Sequence, residues 1–395
     1  MAAVNRARRA LLLGLAGGLA GVGALYGRAR RSASPLPALR ESLHVRDVLA
    51  GEAAGFARAD GPRLFRFPAD HGPHPEYRSE WWYLTGNLRG PDGRPFGFQF
   101  TLFRFALVAD PPARASAWTA AQVYMGHLAV TDPGAGRFRA FERFSREALG
   151  IAGARGDPPR VWLEDWVFEG RGDRDFGISA FAGDVGVDLS LRSAKPPVLQ
   201  GEAGLSQKSG EAGNASYYYS CTRMEAQGSL RAGGPPVPVT GLVWMDREWG
   251  TSALGPGQVG WDWFALQLDD GHDLMVYRLR RADGTLDPHS SGTLVAPEGT
   301  ARTLPAGEVA FDVLGEWRSP RDGTRYPARW RLRVPSEGLD LEVRPLIPDQ
   351  ELHLSVRYWE GAVVVTGRRA AHPVEGRGYV ELTGYAGSGR VDAVG

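Results

Sequence analysis

Apolar side chains fall on every second position over much of this chain, and that period limits the fold more than any other feature of the sequence. Phe96, Phe98, Phe100 and Leu102 alternate with Gly97, Gln99, Thr101 and Phe103, which gives one strongly apolar face and one mixed face, the mark of a half-buried strand. Val185, Val187, Leu189 and Leu191 repeat the pattern, as do Leu352, Leu354, Val356 and Tyr358. Further strands are predicted over 81–88, 122–130, 161–168, 217–223, 259–268 and 273–280. Asp-Gly turn signals punctuate them at Pro91-Asp92-Gly93, Asp269-Asp270-Gly271, Ala282-Asp283-Gly284 and Arg321-Asp322-Gly323. With 53 glycines and 28 prolines the chain favours short strands and tight turns over long helices. One short helix is predicted, around Leu43 to Ala50.

At 395 residues the chain is longer than one core usually serves, so two domains are expected. An internal echo supports duplication. Glu80-Trp81-Trp82-Tyr83, followed by a turn and a strand ending in Phe103-Arg104, is answered by Trp261-Asp262-Trp263-Phe264 and a strand reaching Tyr277-Arg278. Each half is then expected to close into an antiparallel barrel, because closure removes exposed strand edges. The Gly/Pro-rich stretch from Arg231 to Pro238 is the expected linker, giving domains over 36–236 and 237–395.

Residues 1–35 read as an export signal or N-terminal anchor. Arg6, Arg8 and Arg9 precede an apolar run from Ala10 to Tyr26, and Arg28, Arg30 and Arg31 follow it. The Arg8-Arg9 pair ahead of a Gly-rich, mildly apolar core is similar to a twin-arginine signal. The expectation is a periplasmic protein, or one held at the outer face of the inner membrane.

Forty-six basic residues stand against forty-five acidic, so no broad field steers the protein toward nucleic acid. The single cysteine, Cys221, excludes an intramolecular disulfide and a multi-cysteine metal site. It reads as a buried strand residue. No Gly-x-Ser-x-Gly elbow, His-Glu-x-x-His pair or phosphate loop occurs.

Several segments have the character of signatures: Phe67-Pro68-x-Asp70-His71-Gly72-x-His74, Glu80-Trp81-Trp82-Tyr83, Tyr217-Tyr218-Tyr219-Ser220, Trp244-Met245-Asp246-Arg247-Glu248-Trp249-Gly250, Gly260-Trp261-Asp262-Trp263-Phe264, Tyr358-Trp359-Glu360-Gly361 and Gly378-Tyr379-Val380-Glu381-Leu382-Thr383-Gly384-Tyr385. Together they resemble the family that joins carotenoid 1,2-hydratase to the AttH-like secreted hydrolases, over roughly 60–390. The resemblance implies an all-β protein of two lipocalin-like, calycin-type antiparallel barrels. For the hydratase branch it also implies addition of water to a polyene end without cofactor or metal. This sequence departs from that branch where Arg247-Glu248-Trp249 replaces a His-rich stretch. The acid of that branch would fall near Tyr277-Arg278-Leu279, where there is no carboxylate. The AttH-like branch is the better match.

The densest polar and aromatic cluster runs from Trp244 to Phe264. Protonating an alkene requires an acid of raised pKa, which burial among tryptophans supplies, and aromatic faces stabilise the cation that forms. Asp246 or Asp262 is the candidate acid, Glu248 the candidate base, and Arg247 an electrostatic tuner. The candidate ligand-binding residues are Trp81, Trp82, Trp244, Arg247, Trp249, Trp261, Trp263, Tyr358 and Glu360. Strand parity qualifies this assignment: Asp246 and Glu248 share a face opposite Arg247, and Trp261 and Trp263 share one opposite Asp262. An Arg–Glu pair closing a barrel end beneath a tryptophan is the competing structural reading. Asp70, His71 and His74 are candidate metal ligands, or a loop that docks against Glu80-Trp81-Trp82. Glu360 and Glu381 lie in aromatic strands and are expected to pair with Arg357, Arg104 or Arg278. The function expected is an exported protein that binds an apolar lipid or isoprenoid-like molecule and hydrates or hydrolyses it. A non-catalytic lipid carrier of the cell envelope is the alternative.

Overall fold

The computed structural model describes residues 54–110, 120–251 and 254–386. The predicted export segment and the predicted helix at 43–50 lie outside the described residues. Thirteen strands build a first antiparallel sheet: β1 (Ser79–Arg89), β2 (Pro95–Ala106), β3 (Gln122–Asp132), β4 (Arg137–Arg146), β5 (Ala152–Gly156), β6 (Pro159–Leu163), β7 (Trp166–Gly170), β8 (Asp175–Ala182), β9 (Val185–Ser193), β10 (Val198–Leu199), β11 (Leu205–Gln207), β12 (Ala215–Ala232) and β13 (Val237–Gly250). Ten build a second: β14 (Gln258–Leu268), β15 (Asp273–Arg281), β16 (Ser291–Val295), β17 (Ala301–Pro305), β18 (Ala310–Arg318), β19 (Arg325–Val334), β20 (Leu339–Pro345), β21 (Glu351–His353), β22 (Arg357–Arg369) and β23 (His372–Leu382).

The two sheets share one plan. The first runs β4-β3-β2-β1-β13-β12-β9-β8-β7-β6-β5, and the second β17-β16-β15-β14-β23-β22-β20-β19-β18. In each, a four-strand meander starts from an aromatic strand, β1 or β14, which pairs with the last strand of its own half, β13 or β23. This matches the duplication read from the Trp-rich echo. The barrels differ in closure. In the first, β4 comes up against β6, and Arg143 of β4 lies 4.5 Å from the Trp166 ring centre, so the sheet curls into a nearly closed barrel. In the second, β17 and β18 do not pair, leaving a half-barrel. Register shifts between Val313 and Glu316 interrupt β18 and make it a poor closing partner.

Three local expectations need correction. The stretch 231–238 is not a linker but the hairpin between β12 and β13, so the first sheet continues to Gly250 and the crossing to the second lies between Gly250 and Gln258. The predicted strand 161–168 is two strands, β6 and β7, because Glu164 takes a left-handed conformation (φ 58°) and turns the chain. The pattern from Leu352 to Tyr358 is likewise broken between β21 and β22.

Strand parity sorts the side chains. Trp82, Leu84, Val243, Met245 and Trp249 point into the first barrel, and Phe264, Leu266, Trp359, Val380 and Leu382 into the second. The opposite faces of β1, β13, β14, β22 and β23 meet between the barrels, where Tyr83, Tyr218, Trp244, Trp263, Tyr277 and Tyr379 form a third apolar cluster. Polar ties cross this junction: Asn87 Nδ2 donates to Gly378 O (3.0 Å), Gln267 Nε2 to Thr222 O (2.6 Å), Thr131 Oγ1 to Gln350 Oε1 (2.8 Å), and Lys195 Nζ to Asp273 Oδ2 (2.7 Å).

Candidate functional site between the sheets

A cavity of about 170 Å³ opens between the two sheets. An engineered cavity of about 150 Å³ takes benzene, so this space suits a ring or a five- to six-carbon branch. Half-buried Trp81, Phe103, Phe105, Leu254 and Trp261 rim it, and Tyr83, Met125, His127, Tyr218, Trp263, Tyr277 and Tyr358 wall it. Four carboxyl groups and one ammonium face the space: Asp246, Glu248, Glu360, Glu381 and Lys208.

Alternation along β13 aims Asp246 and Glu248 into the cavity. Asp246 Oδ1 accepts from Ser220 Oγ (2.5 Å) and Trp244 Nε1 (2.7 Å), and its Oδ2 from the Tyr218 hydroxyl (2.7 Å). Those donors favour the carboxylate, yet burial outweighs them and lifts Asp246 to about 7. Glu248 sits differently: Lys208 Nζ lies 2.8 Å away and Ser216 Oγ donates to it at 2.5 Å. Burial alone would lower the Lys208 ammonium, but Glu248 and Tyr277 outweigh it and hold Lys208 above its ordinary value.

Glu360 and Glu381 stand directly opposite each other on β22 and β23. The Tyr83 hydroxyl donates to Glu360 Oε1 at 2.5 Å. Burial first, and the facing Glu381 second, push Glu360 well above the usual carboxylate range. Burial lifts Glu381 to about 8, opposed by its hydrogen bond with Trp261 and reinforced by Asp246 and Glu248. Two like charges this close do not both ionise, so the pair keeps a proton at neutral pH. The expected arginine partners are engaged elsewhere: Arg357 with Glu351 and Asp322, Arg104 with Glu80, and Arg278 with Asp262. Parity explains the failure for Arg357, which lies on the opposite face of β22 from Glu360.

The other predicted residues divide by face. Trp81, Trp261, Trp263 and Tyr358 line the cavity. Trp244 stands behind the wall, holding Asp246 and meeting Trp263 edge-on (6.2 Å). Asp262 faces the second barrel, bound to Arg280 Nε and the Tyr385 hydroxyl at 2.9 Å each, and is removed as a candidate acid. Trp82, Arg247 and Trp249 are buried in the first barrel and do not line this cavity. The Arg247 guanidinium lies 3.9 Å above Trp82 and 3.1 Å from Glu80 Oε2, and Arg104 Nε is 2.5 Å from Glu80 Oε1. This is the barrel-closing ion pair of the structural reading, with Glu80 rather than Glu248 as the acid.

His74 stacks on Trp249 (3.7 Å), with Nε2 3.1 Å from Asp70 and Nδ1 3.3 Å from Glu80. His71 Nδ1 meets the Tyr219 hydroxyl at 2.6 Å, and its carbonyl accepts from Trp82 Nε1. Both imidazoles are therefore occupied by protein partners in a loop docked on Glu80 and Trp82. Burial raises the Cys221 thiol to about 12, which leaves it inert.

Sequence reasoning missed Tyr83, His127, Lys208 and Tyr277 in the site and assigned Glu381 a structural partner. Parity with Trp81 points to Tyr83. Lys208 carries a signal as one of only two lysines in an arginine-rich chain.

The AttH-like family model matches residues 58–385. This chain belongs to the AttH-like family. A solved structure provisionally assigned as AttH from Nitrosomonas europaea is 36% identical, covers 84% of this chain and 100% of its own, and superposes with a TM-score of 0.74. The fold is shared with kievitone hydratase from Nectria haematococca, at 16% identity over 84% of this chain and 96% of that one, with a TM-score of 0.62. Two curated relatives match in part. "Dehydratase asqC" of Emericella nidulans is 23% identical over 50% of this chain and 58% of its own length. Kievitone hydratase of Fusarium solani is 25% identical over 42% and 49%. The chain thus spans about half the length of the curated relatives it matches.

Proposed function

We propose that this AttH-like protein adds water across a carbon–carbon double bond of an apolar, isoprenoid-like molecule held between the two sheets, or removes it in the reverse direction. One observation carries the reading: Asp246 faces an aromatic-walled cavity with its carboxyl lifted to about 7, the condition a general acid needs near neutral pH. Relatives named as a hydratase and a dehydratase support the same reaction class.

In the hydration direction the Asp246 proton passes to one alkene carbon. The other carbon becomes a cation facing the rings of Trp81, Trp263, Tyr218 and Tyr358, whose quadrupoles stabilise it. Water attacks that carbon, and Glu381, whose carboxyl near 8 leaves it ionised in a minority of molecules at neutral pH, takes the proton water sheds; Asp246 regains its own proton from solvent as the product leaves. Glu248, neutralised by Lys208, orients rather than accepts. The cavity takes the reacting end of the substrate and its half-buried aromatic rim the flanking carbons. Export to the periplasm belongs to this proposal as the compartment in which the protein would meet such a ligand.

The test is incubation with geraniol and prenol in ¹⁸O-labelled water. A hydroxyl bearing ¹⁸O is expected, with saturation, and its formation is lost in Asp246→Asn while geraniol still quenches tryptophan fluorescence. Binding by the wild type with no labelled product from either alcohol would instead support the lipid-carrier reading.

A further inference from the structure

The cavity is connected to the protein edge by a line of hydrogen-bonding side chains, of which the reaction above uses only the Tyr358 ring. His127 of β3 is buried and lies between two partners. Its Nδ1 is 2.7 Å from the Tyr358 hydroxyl, and its Nε2 is 3.0 Å from Glu142 Oε1. Tyr358 sits two residues from Glu360 on the same face of β22, both side chains line the cavity, and Glu360 Oε2 has no hydrogen-bond partner among the described residues. At the other end Glu142 is half-buried on β4, where it also accepts from Ser355 Oγ (2.6 Å) and Ser355 N (3.2 Å). β4 is the edge strand of the first sheet.

We infer that Glu142, His127 and Tyr358 form a proton relay that exchanges the proton of the Glu360–Glu381 pair with solvent while a ligand fills the cavity. This rests on the hydration reading, which loads one proton onto the pair in each turnover. The attacking water is consumed in the reaction, and with an apolar molecule filling the rest of the cavity the protein itself must carry that proton out.

The geometry gives the relay a direction. Burial would raise Glu142, but hydrogen bonds from His127 and Ser355 outweigh it and hold the carboxyl below its ordinary value. A carboxylate there accepts from Nε2–H, which leaves Nδ1 to accept the Tyr358 hydroxyl proton. Tyr358 Oη is then free to accept from a protonated Glu360. One transfer step moves the Glu360 proton to Tyr358 Oη, the Tyr358 proton to His127 Nδ1, and the Nε2 proton to Glu142, which releases it to water. No bond other than these N–H and O–H bonds changes and no charge is created. Thr101 stands opposite His127 on β2, and the Phe103 ring lies 5.4 Å away.

The experiment reads the carboxylic-acid C=O band by infrared spectroscopy after rapid transfer of the protein into D2O, with geraniol present. In the wild type the band, assigned by its loss in Glu360→Gln and Glu381→Gln, is expected to shift within the mixing time. In His127→Ala and in Tyr358→Phe it should persist and exchange about tenfold more slowly or worse, with added imidazole restoring the rate in His127→Ala. Tyr358→Phe removes one oxygen only and keeps the test valid if the larger change perturbs folding. An intact band that exchanges at the wild-type rate in both variants overturns the relay. Absence of any protonated-carboxyl band in the wild type overturns the hydration reading itself.

Discussion

Asp246 and Glu80 show how two buried carboxyls can be sent in opposite directions by their neighbours alone. Glu80 has two guanidinium partners, Arg104 and Arg247, which overcome burial and hold it far below the usual range. Asp246 has only neutral donors, and burial wins. The rise from 3.8 to about 7 corresponds to roughly 4 kcal/mol of stability given up at neutral pH. The sign is fixed by linkage. Below about pH 4 Asp246 and Glu381 are protonated in folded and unfolded chains alike and cost nothing. Between about 4 and their raised values near 7 and 8 the unfolded chain ionises first, so stability falls as pH rises. We therefore expect the melting temperature to drop between about pH 5 and pH 8, and Glu381→Gln to flatten that drop, as calorimetry would show. A slope unchanged in the variant would mean that Glu381 is ionised in the native protein. Glu80 acts oppositely, contributing stability above its unfolded value that is lost in acid. At this scale parity made Asp246, Glu248, Trp261 and Trp263 legible. The Glu360–Glu381 pairing was not, because it depends on the β22–β23 register.

Alternate residues of one strand perform separate tasks. On β1, Glu80 and Trp82 belong to the first barrel core, while Trp81 and Tyr83 belong to the cavity. Trp82→Ala should cost about 3–5 kcal/mol in urea unfolding, the usual range for emptying a buried tryptophan site. Trp81→Ala, at a half-buried rim position, should leave stability nearly unchanged and weaken geraniol binding. Equal stability losses in the two variants would contradict the division. Glu80→Gln should cost about 3–5 kcal/mol as well, since it leaves Arg104 and Arg247 buried without their carboxylate. The alternation that forecast the strands carried this division too. What it did not carry was strand interruption: a left-handed Glu164 splits one predicted strand, and the β12–β13 hairpin occupies the expected linker.

The site is a product of both halves. Trp81, Tyr83 and Asp246 come from the first sheet, Trp263, Glu360 and Glu381 from the second, while the two barrel interiors hold the apolar cores. The sheets are held together in part by Lys195 and Arg223, which converge on Asp273 at 2.7 and 2.6 Å. Asp273→Asn should therefore destabilise by about 3–5 kcal/mol and also weaken geraniol binding, although Asp273 does not line the cavity. Loss of stability with unaltered affinity would show that the sheets hold their spacing without this tie. The repeated aromatic strands made the two-barrel plan legible, but which faces meet, and so where the cavity lies, is a matter of packing between distant segments that the pattern of single strands does not record. The account turns on carboxyl groups that stay protonated in that junction. A ¹³C-carboxyl NMR titration, with signals assigned through Asp246→Asn and Glu381→Gln, tests it most directly: midpoints near 7 for Asp246 and near 8 for Glu381 are predicted, and midpoints for both near the ordinary carboxylate value of about 4 would contradict it.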